Sequence, residues 1–282
     1  MRRSSKFSKY FQHLRGKPTV DTAAQDEGQD WLASGLAALQ AAQYEEAVEY
    51  FAEAVEAEPA SHAAWYCRGM ALYHSGDDHG ALRAFQRAAK QQPQSHLARY
   101  GCGVALAEMG REDEALTEFD EAITLQPASH LAWLAKGMTL VKQQQWPEAI
   151  TVLHEAITRC PQASHAWYGL GVAYVQTQRE ADALVAFERS IALQADFDLA
   201  WYGKGLALLQ TQSYDDALTA MEQALAVNPQ NGLAWFRKAE ILLALERHDE
   251  AFAAYEMVQQ HAESPSLRAE ANKHLQLLRE RH

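Results

Sequence analysis

Residues 198–231 read DLAWYGKGLALLQTQSYDDALTAMEQALAVNPQN. At about 100° per residue, Trp201, Lys204, Gly205 and Leu208 share one helical face. A polar break at Gln210–Ser213 follows, and Ala217, Met221 and Ala224 then mark a second helix that closes at Pro229. Two amphipathic helices this short cannot bury their apolar faces alone. The template recurs along the chain at a fixed spacing of 34 residues, so the units are expected to bury those faces against one another.

The register holds residue by residue. Trp31, Trp65, Trp133, Trp167, Trp201 and Trp235 share the fourth position, which Arg99 takes in the one unit without Trp. Four residues on stand Gly35, Gly69, Gly103, Gly137, Gly171 and Gly205, with Ala239 last. The second helix repeats Ala47, Ala81, Ala115, Ala149, Ala183, Ala217 and Ala251, and carries Phe51, Phe85, Phe119, Leu153, Phe187, Met221 and Tyr255 at its large apolar position. Pro59, Pro93, Pro127, Pro161 and Pro229 punctuate the ends.

This pattern resembles the tetratricopeptide repeat family, with seven units over residues 28–265, at 28–61, 62–95, 96–129, 130–163, 164–197, 198–231 and 232–265. The resemblance implies an all-α fold, a right-handed superhelical solenoid of antiparallel helix pairs. It does not imply one function, because one repeat architecture serves many unrelated partners. Residues 266–282 keep helical spacing through Leu267, Ala271, Leu275 and Leu278 and read as a C-terminal capping helix, since an uncovered last repeat would leave apolar surface in water.

Composition narrows the function classes. The chain of 282 residues is 48% hydrophobic and 22% charged, with a net charge of −12. Residues 1–20 hold Arg2, Arg3, Lys6, Lys9, Arg15 and Lys17 and no acid, a charge of +6, which leaves −18 for the rest. Repeats that acidic repel phosphate backbones, so nucleic acid is excluded as their ligand. Cys67, Cys102 and Cys160 form no CxxC pair and read as small buried residues of a reducing compartment. With no apolar run of membrane-spanning length and no secretory signal pattern, a cytoplasmic location is expected.

Residues 1–27 are a basic, aromatic-containing tail and linker. Phe7, Tyr10, Phe11 and Leu14 keep helical spacing among basic residues, a pattern that fits an anionic membrane surface or an acidic groove. The segment also loosely resembles an organelle-targeting leader. Helix starts are signalled by Ser61, Ser95, Ser129, Ser164 and Asn231, whose side-chain oxygens can accept unpaired backbone N–H groups. Acidic pairs such as Glu45-Glu46 and Asp215-Asp216 open the second helices, where the helix dipole favours negative charge.

The sequence gives little footing for catalysis. His62, His96 and His130 recur 34 residues apart, too far for one metal ion, and read as copies of one unit. His74, Asp77, Asp78 and His79 read as a capped turn rather than a metal site. Gly101-Cys102-Gly103, Gly169-Leu170-Gly171 and Gly203-Lys204-Gly205 lie inside predicted helices and follow no strand, so they are not phosphate loops. Their glycines point to close approach of neighbouring helices. No nucleophile–base arrangement is present; the chain is read as a non-enzyme without cofactors.

The informative feature is a second apolar stripe on the first helices, about 130° from the first. Its candidate peptide-binding residues are Tyr66, Met70, Tyr73, Leu97, Tyr100, Val104, Leu131, Leu134, Met138, Tyr168, Val172, Tyr202, Leu206, Leu209 and Phe236. In the resembled family this face lines the concave groove. The Lys, Arg and Asn of its carboxylate-clamping members are missing here, as is the Asn ladder of its sugar-transferring relatives. The expectation is a scaffold that holds a hydrophobic or amphipathic helical segment of another protein in an apolar, Tyr-lined groove. Replacing Tyr100 and Tyr202 together by Ala is then expected to weaken binding and keep the fold. The alternatives are self-assembly, with residues 1–20 docked on a neighbouring acidic copy, and a membrane-tethered adaptor.

Overall fold

A computed structural model describes residues 26–279. The expectations placed on residues 1–25, including the basic aromatic segment, lie outside the described residues. The described chain is helical throughout, in tandem pairs, as the resemblance implied. It divides into two compact units whose described parts are residues 26–139 and 140–279, with the boundary inside α7 (His130–Lys142).

The first unit contains α1 (Asp26–Gln40), α2 (Tyr44–Ala57), α3 (His62–Ser75), α4 (Asp78–Gln91), α5 (His96–Glu108), α6 (Glu112–Leu125) and the start of α7. The second continues from α7 through α8 (Trp146–Arg159), α9 (Ser164–Gln176), α10 (Glu180–Leu193), α11 (Asp198–Gln210), α12 (Tyr214–Val227), α13 (Gly232–Ala244), α14 (His248–His261) and α15 (Pro265–Arg279).

Each pair reverses through the same turn. In the first unit the N–H groups of Gln43, Asp77 and Arg111 reach back six residues' span to the Ala38, Leu72 and Leu106 carbonyls, each at 2.9 Å. In the second, Gln145, Arg179, Ser213 and Arg247 do the same to Leu140, Tyr174, Leu208 and Leu242 at 2.9–3.0 Å. This closure ties up carbonyls that the ending helix leaves unpaired, and it requires a left-handed residue just before the donor. Gly76 (φ 91°) and Gly110 (φ 75°) suit that position, but Ala42, Gln144, Gln178, Gln212 and Glu246 adopt it with φ of 56–61°.

The core is built on the large residue of each second helix. Phe85 is fully buried, and a β-carbon added at Gly69 or at Gly101 would come within 2.6 Å of its ring. The ring therefore fills a hollow cut by glycines from its own repeat and from the next. Phe187 repeats the arrangement in the second unit, where β-carbons at Gly171 and Gly203 would approach to 2.6 and 2.5 Å. Close packing inside the helix pair and against the next repeat thus explains glycines that cost a free helix about 1 kcal/mol each relative to Ala.

Polar links fasten one repeat to the next. The indole N–H of Trp65 donates to the Pro59 carbonyl at 2.9 Å, and that of Trp133 to Pro127 at 3.0 Å. In the second unit Trp167, Trp201 and Trp235 donate to the carbonyls of Pro161, Ala195 and Pro229 at 3.1, 3.0 and 2.8 Å. Arg99, in the Trp position, makes no such link and pairs within its own repeat with Glu118 and Glu121 at 3.2 and 3.0 Å. Lys136 reaches Asp120 at 2.8 Å, while Lys204 and Lys238 reach Glu188 and Glu222 at 2.9 Å.

Three of the expected caps form and one, Ser164, does not. Ser61, Ser95 and Asn231 accept the N–H groups of Ala64, Ala98 and Ala234. Ser164 does not cap: it is the first residue of α9, and its hydroxyl donates to Gln194 Oε1 at 3.1 Å. Asp77 caps α4 through the Gly80 N–H at 2.8 Å. Arg111, Arg179 and Arg247, which precede second helices, instead pair with acids three residues ahead at 2.7 Å. At the far end α15 packs on α14 through Ala271, Leu275 and Leu278, all buried.

Candidate functional site

The side chains of the second stripe divide by burial. In the first unit Met70, Tyr73, Tyr100, Val104 and Leu134 are buried, whereas Tyr66, Leu97, Leu131 and Met138 are half-buried. In the second unit Phe236 is buried, and Tyr168, Val172, Tyr202, Leu206 and Leu209 are half-buried.

The division has a local cause. The ring at the fifth position of the repeat packs, tilted or edge-on, against the large residue of its own second helix, 19 positions on: Tyr66 against Phe85 at 5.7 Å and Tyr100 against Phe119 at 6.0 Å. Tyr168 on Phe187 at 6.1 Å and Phe236 on Tyr255 at 5.6 Å repeat it in the second unit. These rings are shared between the helix pair and the stripe. Tyr100 is only 3% exposed, so an Ala there removes core packing. The expectation that the Tyr100/Tyr202 double variant keeps the fold is therefore revised on burial grounds.

Burial also sets the chemistry of the polar atoms. The Tyr66 hydroxyl is buried with no hydrogen-bond partner, and burial holds its pKa far above the ordinary phenol value. Burial raises Tyr100 in the same way and pushes Tyr168 up to about 12. These phenols stay neutral at any physiological pH. The thiols of Cys67 and Cys102 are both pushed up to about 12 by burial, which removes them as nucleophiles.

Two of the histidines singled out in the sequence, His62 and His74, have packing partners. His62 ties the start of its repeat to the end of the same repeat, with Nδ1 3.0 Å from the Ala88 carbonyl and Nε2 3.2 Å from Ser95 Oγ. His74 stacks on Tyr44 at 4.9 Å and meets Tyr73 edge-on at 5.5 Å. Among the described residues no three His, Cys, Asp or Glu side chains gather as a metal site.

What the stripe offers is apolar contact. In the second unit Tyr202, Leu206 and Leu209 lie partly buried against the core, and Leu233, at the second position of α13, is 52% exposed. Leu233 was visible in the sequence at a stripe position but falls outside the fifteen candidates. Polar character enters through Arg237, which pairs with Glu240 at 2.7 Å. No helix among the described residues is long and apolar enough to cross a membrane.

A family model for the tetratricopeptide repeat matches residues 32–81, 75–130, 134–198, 181–220 and 202–266. None of the curated proteins matches the sequence. Among solved structures, the chain is similar to one from the APC/C hetero-tetramer Cut9–Hcn1, with a TM-score of 0.71 and 17% identity over 89% of this chain. It spans 46% of the length of that relative. It is also similar to PilF of Pseudomonas aeruginosa, with a TM-score of 0.67 and 19% identity, covering 75% of this chain and 96% of that one. YrrB, a repeat protein described as having an unusual peptide-binding site, matches with a TM-score of 0.54 and 19% identity, over 68% of this chain and 99% of its own. Likenesses at this identity carry the fold.

Proposed function

Because the chain belongs to the tetratricopeptide repeat family, we propose that it is an interaction scaffold that holds an amphipathic helical segment of another protein. The segment lies on the half-buried stripe of the first helices, with Tyr202, Leu206, Leu209 and Leu233 as its contacts in the second unit. Proteins built of these repeats generally serve as protein-interaction scaffolds.

One observation carries the reading: apolar side chains recur on the first helices at positions that packing leaves partly open. A helix face needed only for folding would bury such residues fully or replace them with polar ones. An amphipathic helix presents apolar residues at matching spacing, and Tyr202 adds a large contact area with a hydroxyl for orientation. The six buried members of the stripe, Met70, Tyr73, Tyr100, Val104, Leu134 and Phe236, act from behind by holding the first helices in place.

The test is peptide selection from a displayed random library against the full chain. Selected sequences should show apolar residues three and four apart. Their binding should vanish in the Leu206→Glu/Leu233→Glu variant while its far-ultraviolet dichroism matches wild type. Selected peptides that bind the folded variant as tightly as wild type would place the interaction elsewhere and defeat the reading.

A further inference from the structure

The first repeat presents a helix face that has no counterpart elsewhere in its unit. In later repeats of the first unit, the third and tenth positions of the first helix are covered by the preceding repeat: Ala64, Ala71, Ala98 and Ala105 are all buried. In α1 the equivalent Asp30 and Ala37 are exposed, as is Ala33 between them. Trp31, at the edge of this flank, is 38% exposed and stacks on Tyr50 of α2 at 5.9 Å. Around Tyr50 on α2 lie Glu46, Glu49, Glu53 and Glu56, all exposed and on one side of the helix. Residues 28–61 hold seven acids and neither Lys nor Arg.

The chain directly ahead has the opposite character. Residues 1–17 carry six Lys and Arg, no acid, and the stripe Phe7, Tyr10, Phe11 and Leu14. Residues 18–25 join that segment to α1, and eight extended residues span up to about 27 Å. The start of α1 lies beside the end of α2, since a β-carbon at Gly28 would meet Ala57 at 3.4 Å. With its 14 residues α2 is about 21 Å long, so its whole acidic side is within reach of the same molecule's segment. Neither isolated charge nor isolated apolar area would select one occupant; the combination of a bare flank, an aromatic edge and a glutamate row does.

We propose that residues 4–17 of the same molecule cover the open flank of the first repeat. Phe7, Tyr10, Phe11 and Leu14 lie against Ala33, Ala37 and Trp31, and Lys6, Lys9 and Arg15 lie along Glu46, Glu49, Glu53 and Glu56. The attraction is intramolecular, so it acts at the high effective concentration a short linker sets. The inference does not depend on the peptide groove, which lies on another face of the first helices.

Zero-length carbodiimide cross-linking of the full chain tests it, using an equal mixture of light and heavy-isotope protein. The expected result is cross-links from Lys6, Lys9 or Lys17 to acids of α2, all light–light or heavy–heavy. Mixed-isotope links would mean that the segment docks on a second copy, and would overturn the proposal. Links spread equally over acids outside α2, or no links from these lysines, would also overturn it. In the Glu49→Gln/Glu53→Gln variant, links to Glu46 and Glu56 should be largely lost. Their persistence at wild-type yield would show that the glutamate row does not hold the segment.

Discussion

Changing Gln144, Gln178 and Gln212 to Gly should stabilise the protein, although each change puts the poorest non-proline helix former beside a helix end. All three residues occupy the left-handed region, with φ of 56–61°. A side chain with a β-carbon pays about 1–2 kcal/mol to stand there. Glycine avoids that strain but loses about 0.5–1 kcal/mol through its freer unfolded chain, so each substitution nets roughly 0.5–1 kcal/mol. The three turns share no partners, and about 1.5–3 kcal/mol is expected for the triple variant. Gly110→Ala, where φ is 75°, supplies the reverse experiment and should cost about 1 kcal/mol. The assay is urea unfolding followed by dichroism at 222 nm, with the midpoint compared at constant slope. A triple variant less stable than wild type, together with a neutral Gly110→Ala, would show that turn conformation does not limit stability here.

Two further outcomes follow from burial. In the native protein at pH 8 an aromatic disulfide reagent should modify Cys160 well before Cys67 and Cys102, whose thiols burial pushes up to about 12; equal rates for all three would contradict that burial. Burial also lowers the pKa of His74 and His96 below their ordinary 6.5. The unfolded chain therefore takes up protons first as the pH falls, so their contribution is intact well above pH 6.5 and is lost as the pH drops through it. Between pH 7.5 and 5.5 wild type should lose stability relative to a His74→Gln/His96→Gln variant, and a constant difference between the two would refute the assignment.

The repeat register was legible because Trp, Gly, Ala and Phe each recur for a reason that repeats from unit to unit, inside the helix pair or at the joint with the neighbouring unit. The interior glycines were legible in kind: their spacing implied close approach, and the rings of Phe85 and Phe187 supply it. The turn was not, because its left-handed position holds Ala, Gly, Gln and Glu in different repeats. There the back-reaching hydrogen bond dictates the conformation and residue preference yields. A helical wheel likewise located both apolar faces of the first helix but could not say which one meets the second helix. Tyr100 and Phe236 look like groove residues on that wheel, yet their rings belong to the helix pair. Ser164 has the composition of a cap and lies one residue too late to serve as one.

The hollow that receives Phe85 is cut half by Gly69 and half by Gly101, and this bears on how such a chain can lengthen. A duplicated unit brings its own ring but only one wall for it; the other wall comes from whatever unit is inserted next. Copies carrying glycine six residues into the first helix, like those at Gly101 and Gly203, can follow a phenylalanine unit. The unit that begins at residue 232 has Arg237 at that place and is preceded by Met221 in place of Phe. Gene duplication would therefore tolerate insertions most readily ahead of the glycine-bearing units, while the units with Cys67 and Ala135 at that place follow Phe51 and Phe119 without such a hollow.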